Sequence, residues 1–245
     1  MRFGDLTYQE IQSKVKEGCL AIVPTGCTEQ QGPHLPVDFD TWFVERVCLE
    51  AAQQLTEKHG LNALVLPVLP FGPTPEHRNF GSGYIDLPQD IHEKVVSSTL
   101  HSLVEQGFER IVVWRGCGQH SLGGVIKEFN ESYLGKARAF QPELPYHAIW
   151  CKVGNPQVSG GHADSFSTSI ALYLRPESVR MDQVRNPHNK PVDWNNPHLD
   201  FALLSSNGVI GDPTFASAEL GSDLWKAIIN EVVEIFRNIS EVSLN

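Results

Sequence analysis

Residues 28–40, T-E-Q-Q-G-P-H-L-P-V-D-F-D, bring the carboxylates of Glu29 and Asp40 and the imidazole of His34 into one short loop. Carboxylates and imidazole held by Gly and Pro at the end of a strand are typical of a hydrolytic metal site. Glu29 and Asp40 are therefore candidate ligands of a divalent metal, and His34 either binds the metal or orients an acidic ligand. Gln31 places a neutral amide where a histidine would be a stronger ligand. The structural alternative is that Glu29 caps a turn and Asp40 caps the helix that follows.

A second loop, residues 115–120, reads R-G-C-G-Q-H and directly follows an apolar run. Its glycines allow a close backbone approach, and a thiol, an amide and an imidazole follow at Cys117, Gln119 and His120. Cys117 is a candidate zinc ligand, or a nucleophile paired with a histidine. The alternative is a buried thiol that packs as a small apolar group.

A third loop, residues 160–169, reads G-G-H-A-D-S-F-S-T-S. His162 stands just before a predicted helix and suits a general acid or base. Asp164 and the hydroxyl-rich segment after it suit either anion binding at the helix start or simple N-capping by Asp164 or Ser165.

These loops need a scaffold, and the apolar pattern supplies alternating strands and helices. Such alternation predicts an α/β fold with a mainly parallel sheet covered on both faces. Loops at the carboxyl ends of parallel strands hold ligands, so the three loops are expected to meet at one edge. The predicted strands are residues 19–24, 63–69, 110–114 and 146–150, and the predicted helices are residues 41–56, 90–106 (capped by Asp90), 122–134, 165–174 and 223–239.

Composition excludes several classes of function. The net charge of −10 disfavours nucleic acid, because a phosphate backbone requires a basic face. No polybasic patch, apolar run of membrane-spanning length or signal peptide is visible, so neither a membrane partner nor secretion is expected. Five cysteines without regular spacing do not form a disulfide framework. We therefore expect reduced thiols and a cytoplasmic location.

Five motifs in the same order resemble the creatinine amidohydrolase (creatininase) family. That family reads T-E-Q-H-G-P-H-L-P with a following aspartate, S-x-E-H with a G-T-I-x-L turn, N-G-H-G-G-N, H-A-G-E-x-E-T-S, and G-V-x-G-D-P-x-x-A. The corresponding segments of this chain are residues 28–36 with Asp40, 74–77 with 83–87, 115–120, 162–169 and 208–216.

The resemblance implies a single three-layer αβα domain over residues 1–245, in a family whose members are commonly hexamers. It also implies two divalent metals bridged by an aspartate and a water, and hydrolysis of C–N bonds in cyclic or linear amides. Position by position, Glu29 and Asp40 match the family's glutamate and bridging aspartate. Cys117 replaces a histidine ligand, Gln31 replaces the histidine of the second metal, and His162 matches the histidine that carries protons.

The acidic ligands of the family's second site fall on Gln119 or Ser167, and neither supplies charge. The leading hypothesis is therefore a non-peptide amidohydrolase with one zinc, held by Glu29, Asp40 and Cys117, with Mn or Fe as alternatives. The remaining candidates are expected to bind substrate or support the ligands; they are Gln31, His34, Gln119, His120, Glu76 and His77.

Two other hypotheses remain open at this point. The replaced ligands are also compatible with a catalytically inactive relative that binds a small molecule or a partner. A thiol enzyme is the third reading, with Cys117 as nucleophile and His120 or His162 as base. The expected partner is a small amide substrate, and the expected assembly, implied by the resemblance alone, is a homo-oligomer.

Overall fold

Four parallel strands, β1 to β4, form the sheet within the part of the chain that the computed structural model describes, which is residues 1–118, 120–156, 161–186, 192–196 and 198–244. The strands are β1 Leu20–Thr25, β2 Ala63–Val65, β3 Arg110–Arg115 and β4 Arg138–Phe140, in the spatial order β2-β1-β3-β4. Ala21 of β1 pairs with Leu64 on one side and with Ile111 on the other. The prediction of a parallel α/β sheet is confirmed.

Eight α-helices surround this sheet in the described residues. They are α1 Tyr8–Lys16, α2 Phe39–His59, α3 Gln89–Glu105, α4 Gly123–Ser132, α5 Tyr146–Gly154, α6 Ser165–Leu174, α7 Phe201–Leu204 and α8 Ala218–Ser240; short 3₁₀ helices span Phe3–Asp5, Pro75–Phe80, Pro176–Ser178 and Met181–Gln183. No helix in the described ranges is long and apolar enough to cross a membrane.

Alternate residues of β1 belong to two separate hydrophobic clusters, one on each face of the sheet. Leu20 and Ile22 pack with α2, α5, α6 and α8. Ala21 and Val23 pack with α1, α3 and α4. Since side chains alternate across a strand, both faces of β1 are buried and its sequence is continuously apolar. The result is the expected three-layer αβα arrangement.

The predicted fourth strand, residues 146–150, is wrong. This segment begins helix α5, and the fourth strand is the shorter β4. Tyr146, Ile149, Trp150 and Val153 all pack against the core that contains α2 and α8. Their spacing of three and four residues is that of one helical face, which a window of five apolar residues cannot distinguish from a strand.

Two further boundaries differ from the sequence prediction. The strand within residues 63–69 ends at Val65, two residues before Pro67, which has no N–H to donate to a ladder. Helix α3 begins at Gln89 after Pro88, and Asp90 does not cap it but lies in its first turn. An acid at that position still interacts favourably with the helix dipole.

His34 joins the loop after β1 to helix α6. Its Nε2 lies 2.8 Å from Thr168 Oγ1 in a buried contact. Burial lowers the pKa of His34 to about 4, because the cationic form cannot be hydrated there. The imidazole is therefore neutral at pH 7.

We expect Phe236→Ala to lower the free energy of unfolding by about 3–5 kcal/mol, because it leaves a cavity in the core. Phe236 is 0% exposed, and its ring meets that of Trp114 edge-on at 5.4 Å. The matched control is Phe215→Ala, since Phe215 is 65% exposed and should cost less than about 0.5 kcal/mol. Urea unfolding measures both, and equal losses would contradict the assignment of the core.

The contribution of His34 to stability should fall as the pH decreases below about 6.5. The pKa of His34 is about 4 in the folded chain against 6.5 in the unfolded one. Its contribution is thus fully present above pH 6.5 and is lost between there and pH 4, at up to about 1.4 kcal/mol per pH unit. His34→Gln should have a shallower dependence by urea unfolding, and His198→Gln, at an exposed histidine, should follow the parent. If the free energy of unfolding of His34→Gln depends on pH as steeply as that of the parent, the assignment of this dependence to His34 is wrong.

Candidate metal centre

The candidate ligands converge at the carboxyl ends of β1 and β3. Two glycines make this approach possible. A side chain at Gly26 would meet Thr41 Cα at 2.6 Å, and one at Gly116 would lie 3.0 Å from the carbonyl oxygen of Thr25 and 3.2 Å from that of Asp40. Only glycine lets the two loops pack so closely on the start of α2. The predicted meeting of loops at one sheet edge follows from this packing.

Two carboxylates and a thiol form the centre of the cluster. Cys27 Sγ lies 3.1 Å from Glu29 Oε2 and 3.5 Å from Asp40 Oδ2. One ligand atom from each of the three residues lies within 4.8 Å of the others. Asp40 thus faces this cluster from the first turn of α2, where the N-cap is Asp38. Carboxylate and thiolate donors at this spacing fit a zinc ion.

Gln31 joins the two carboxylates through its amide. Its Nε2 lies 2.5 Å from Asp40 Oδ2 and 3.3 Å from Glu29 Oε1, and it donates to both. The side chain is buried. At this position the chain presents a neutral donor to two acids, where the family's histidine would present a ligand atom.

Burial makes these carboxyls weak acids. It raises the pKa of Glu29 to about 7 and that of Glu76 to about 7. The pKa of Asp40 is raised well above its usual range, first by burial and then by the charge of Glu29. Without a cation, the cluster therefore retains protons near neutral pH. A bound divalent cation would favour the ionised carboxylates.

Cys117 lies on the side of Glu29 that faces β3. Its Sγ is 3.9 Å from Glu29 Oε2, and Cys27, Cys117 and His120 each place a ligand atom within 4.8 Å of the others. A hydrogen bond with Cys27 lowers the pKa of Cys117, but burial and the neighbouring acids raise it to about 11. Gln119, also proposed from the sequence, lies outside the described residues.

Gln30 determines which ring nitrogen carries the hydrogen in two histidines, His77 and His162. Its Oε1 accepts from the Gly32 N–H at 2.9 Å, so its Nε2 donates to Gly208 O at 3.1 Å and to His77 Nδ1 at 3.2 Å. His77 then carries its hydrogen on Nε2, 3.4 Å from Glu29 Oε2. The protonated Nε2 thus lies near the carboxyl group of Glu29.

His162 has the same tautomer for a different reason. Its Nε2 lies 2.7 Å from the Gln30 backbone oxygen, which only accepts, so Nε2 donates there. The Nδ1 lone pair faces Glu29 Oε1 at 3.5 Å. Burial lowers the pKa of His162 to about 3. The electrostatic effect of His77 is the next largest cause and acts in the same direction. His162 therefore stays a neutral imidazole near neutral pH, with an unprotonated Nδ1 that faces the cluster.

The segment after His162 caps the N-terminus of helix α6. Asp164 Oδ1 accepts a hydrogen bond from the Phe166 N–H at 3.0 Å. Asp164 therefore caps α6, which is the N-capping alternative given in the sequence analysis. Ala163 between them has φ +52°, in the left-handed region that non-glycine residues rarely adopt. This turn separates the ring of His162 from the helix start.

Sequence reasoning missed Cys27 and Gln30 as functional candidates. The sequence marks Cys27 only as one of five reduced thiols, although it stands two residues before Glu29 at the end of a strand. That position was the available signal. Gln30 lies inside the first motif, but its amide contacts depend on Gly208 and His77, which are distant in sequence. His34 and Thr168 contact each other across the loop–helix junction.

Comparisons with known proteins agree with this geometry. The family model Creatininase, described as creatinine amidohydrolase, matches residues 4–236. A mycofactocin precursor peptide peptidase of Mycolicibacterium smegmatis is 27% identical, covering 93% of this chain and 87% of the relative. A 3-dehydro-scyllo-inosose hydrolase of Thermotoga maritima is 25% identical, covering 98% of this chain and 83% of the relative.

Solved structures share the fold. One named "Creatininase Mn" has a TM-score of 0.82 at 22% identity and covers 98% of this chain and 99% of its own. A mutant creatininase described as "Zn-Zn type" has a TM-score of 0.83 at 23% identity and covers 98% of both chains. Since the family model spans nearly the whole sequence, the chain belongs to the creatininase family of metal-dependent amidohydrolases.

Proposed function

We propose that this chain hydrolyses the C–N bond of a small, non-peptide amide, linear or cyclic, with one catalytic divalent metal. Glu29 and Asp40 would hold the metal together with the thiols beside them, Cys27 and Cys117. The observation that carries the proposal is the buried group of Glu29, Asp40 and Cys27, whose ligand atoms lie within 4.8 Å of one another at the carboxyl edge of the sheet. Zinc is the preferred metal because thiolate is a soft ligand, and Mn and Fe are the alternatives.

A metal at this position would polarise the amide carbonyl and lower the pKa of a bound water. The chain's own residues would then move the protons. The unprotonated Nδ1 of His162 faces the cluster, so it would relay a proton from the water to the leaving nitrogen, and its lowered pKa favours the release of that proton. The bond from Nε2 to the Gln30 backbone oxygen holds this tautomer, as a hydrogen bond on the far nitrogen fixes many active-site imidazoles.

His77 and Glu76 would support the ligand carboxylate. His77 Nε2 lies between Glu29 Oε2 at 3.4 Å and Glu76 Oε1 at 3.6 Å, and a hydrogen bond on a ligand carboxylate fixes its orientation. Gln31 donates to both acids and would keep the family's second metal from binding at this side. This supports one catalytic metal rather than two.

Other readings are weaker. The thiol enzyme needs a thiolate at neutral pH, and the pKa of Cys117 is raised to about 11. An inactive binding protein is the outcome if no amide is hydrolysed by the metal-loaded protein.

The peptide bond of a short substrate is a second candidate for the reaction, favoured by the relatives named as peptidases. We also propose a cytoplasmic location, which the five unpaired cysteines support. A homo-oligomer, with the hexamer as the family expectation, is proposed from the family alone.

Asp40→Asn should lower the metal content by about one ion per chain and reduce amide hydrolysis by more than about 100-fold, since it removes a ligand charge. Elemental analysis and assays on a panel of linear, cyclic and peptide amides measure the two effects. The matched control is Glu57→Gln, which changes an exposed carboxylate of the same helix and should leave both unchanged. Full metal content in Asp40→Asn would contradict the proposed ligand set.

His162→Gln should reduce kcat by about 10²–10⁴-fold while the metal content stays at the parent value, because it removes the proton carrier and no ligand. His198→Gln, at an exposed histidine, is the control. Metal loss in His162→Gln would instead assign this residue as a ligand. Unchanged kcat with all active amides would overturn its role in proton transfer.

A further inference from the structure

A second group of potential ligands adjoins the carboxylates on the side facing β3. It consists of Cys27, Cys117 and His120, each with one ligand atom within 4.8 Å of the other two. All three side chains are buried, with exposures of 0%, 8% and 0%. Two thiols and an imidazole are the ligand types of a zinc site. This group differs from the group of Cys27, Glu29 and Asp40, although Cys27 belongs to both.

The imidazole of His120 has no hydrogen-bond partner among the residues that the structure describes. Both ring nitrogens lack one there, although the side chain is fully buried. The ring packs on the backbone at Gly72, where an added Cβ would lie 2.2 Å from Nε2. Buried imidazoles normally have a partner on at least one nitrogen. A metal ion beside the two thiols would provide one.

Charge also favours a second cation. When ionised, Glu29, Asp40, Cys27 and Cys117 together carry four negative charges in a buried region, and Cys27 Sγ lies 3.1 Å from Glu29 Oε2. One divalent ion neutralises half of them. Without a second ion the thiols keep their protons, whereas two divalent ions would balance all four groups in their ionised form.

We propose that Cys27, Cys117 and His120 bind a zinc ion, at a position next to the catalytic metal. The inference rests on the proposed function for the neighbouring metal, and the two thiolates lie between the two positions. Around tetrahedral zinc, ligand atoms lie roughly 3.3–3.8 Å apart, so shifts of about 1 Å would bring these atoms into range. Each thiol releases its proton to solvent when the ion binds.

The zinc content and the atoms around zinc test this proposal directly. The protein is purified without added metal or chelator, loaded with zinc chloride and dialysed. Elemental analysis should give about two zinc ions per chain. Zinc X-ray absorption should show sulfur at about 2.3 Å in addition to nitrogen and oxygen at about 2.0–2.1 Å. Thiol titration after denaturation with chelator should find all five cysteines reduced.

His120→Gln should reduce the zinc content from about two ions to about one. The matched control is His92→Gln: His92 is also buried without a partner, and its ring lies 4.7 Å from His120, but it belongs to none of the ligand groups. This variant should keep two ions. His120→Cys should restore the second ion and increase the sulfur signal, which a purely structural role would not do. Thermal unfolding checks that each variant is folded.

Several outcomes would overturn the inference. They are one zinc per chain in both the parent and His120→Gln, absorption spectra without sulfur, or a disulfide between Cys27 and Cys117 in the freshly purified protein. Failure of the proposed function gives a different result. In that case two zinc ions with sulfur ligands are present, and no amide in the panel is hydrolysed.

Discussion

The structure around the candidate metal centre depends on one constraint, the burial of acidic groups side by side. Glu29 and Asp40 share one pocket of low polarity with two thiols, and their pKa values are raised accordingly. Such a cluster is stable either with its protons retained or with a cation bound. The surrounding features fit both states: Gln31 donates to both acids, His77 Nε2 lies near Glu29, and the loops at Gly26 and Gly116 pack tightly on the start of α2.

The fold brings the candidate site residues together, and a few loop residues determine the chemistry. Strands β1 and β3 are adjacent and parallel, so their carboxyl ends deliver Cys27 and Cys117 to the same point. Helix α2 adds Asp40 from its first turn, and the segment before α6 adds His162. Each element is fixed by apolar packing on one face of the sheet. A change of ligand type therefore leaves the layers intact.

Much of this arrangement is predictable from the sequence. Continuous apolar runs indicated β1 and β3, and the motifs indicated that their loops meet. The segment 146–150 was misassigned because five apolar residues carry no usable period, and only its packing against α2 and α8 identifies a helix. Cys27 and Gln30 were missed because their roles come from tertiary contacts. That residues 1–245 form one domain stays a prediction, as do the roles of the site residues.

The amide of Gln31 has a consequence for how the protein acquires its metal. Its hydrogen bonds to Asp40 and Glu29 stabilise the metal-free fold, so an incoming ion must first displace a donor already in place. A hydrogen bond contributes about 0.5–1.5 kcal/mol, which weakens the apparent affinity by roughly 2- to 10-fold. The chain is thus built to fold first and to take up its ion afterwards. Occupancy of the centre would then follow the free metal concentration around it, so that supply of the ion, and not synthesis of the protein, sets how much of it is active.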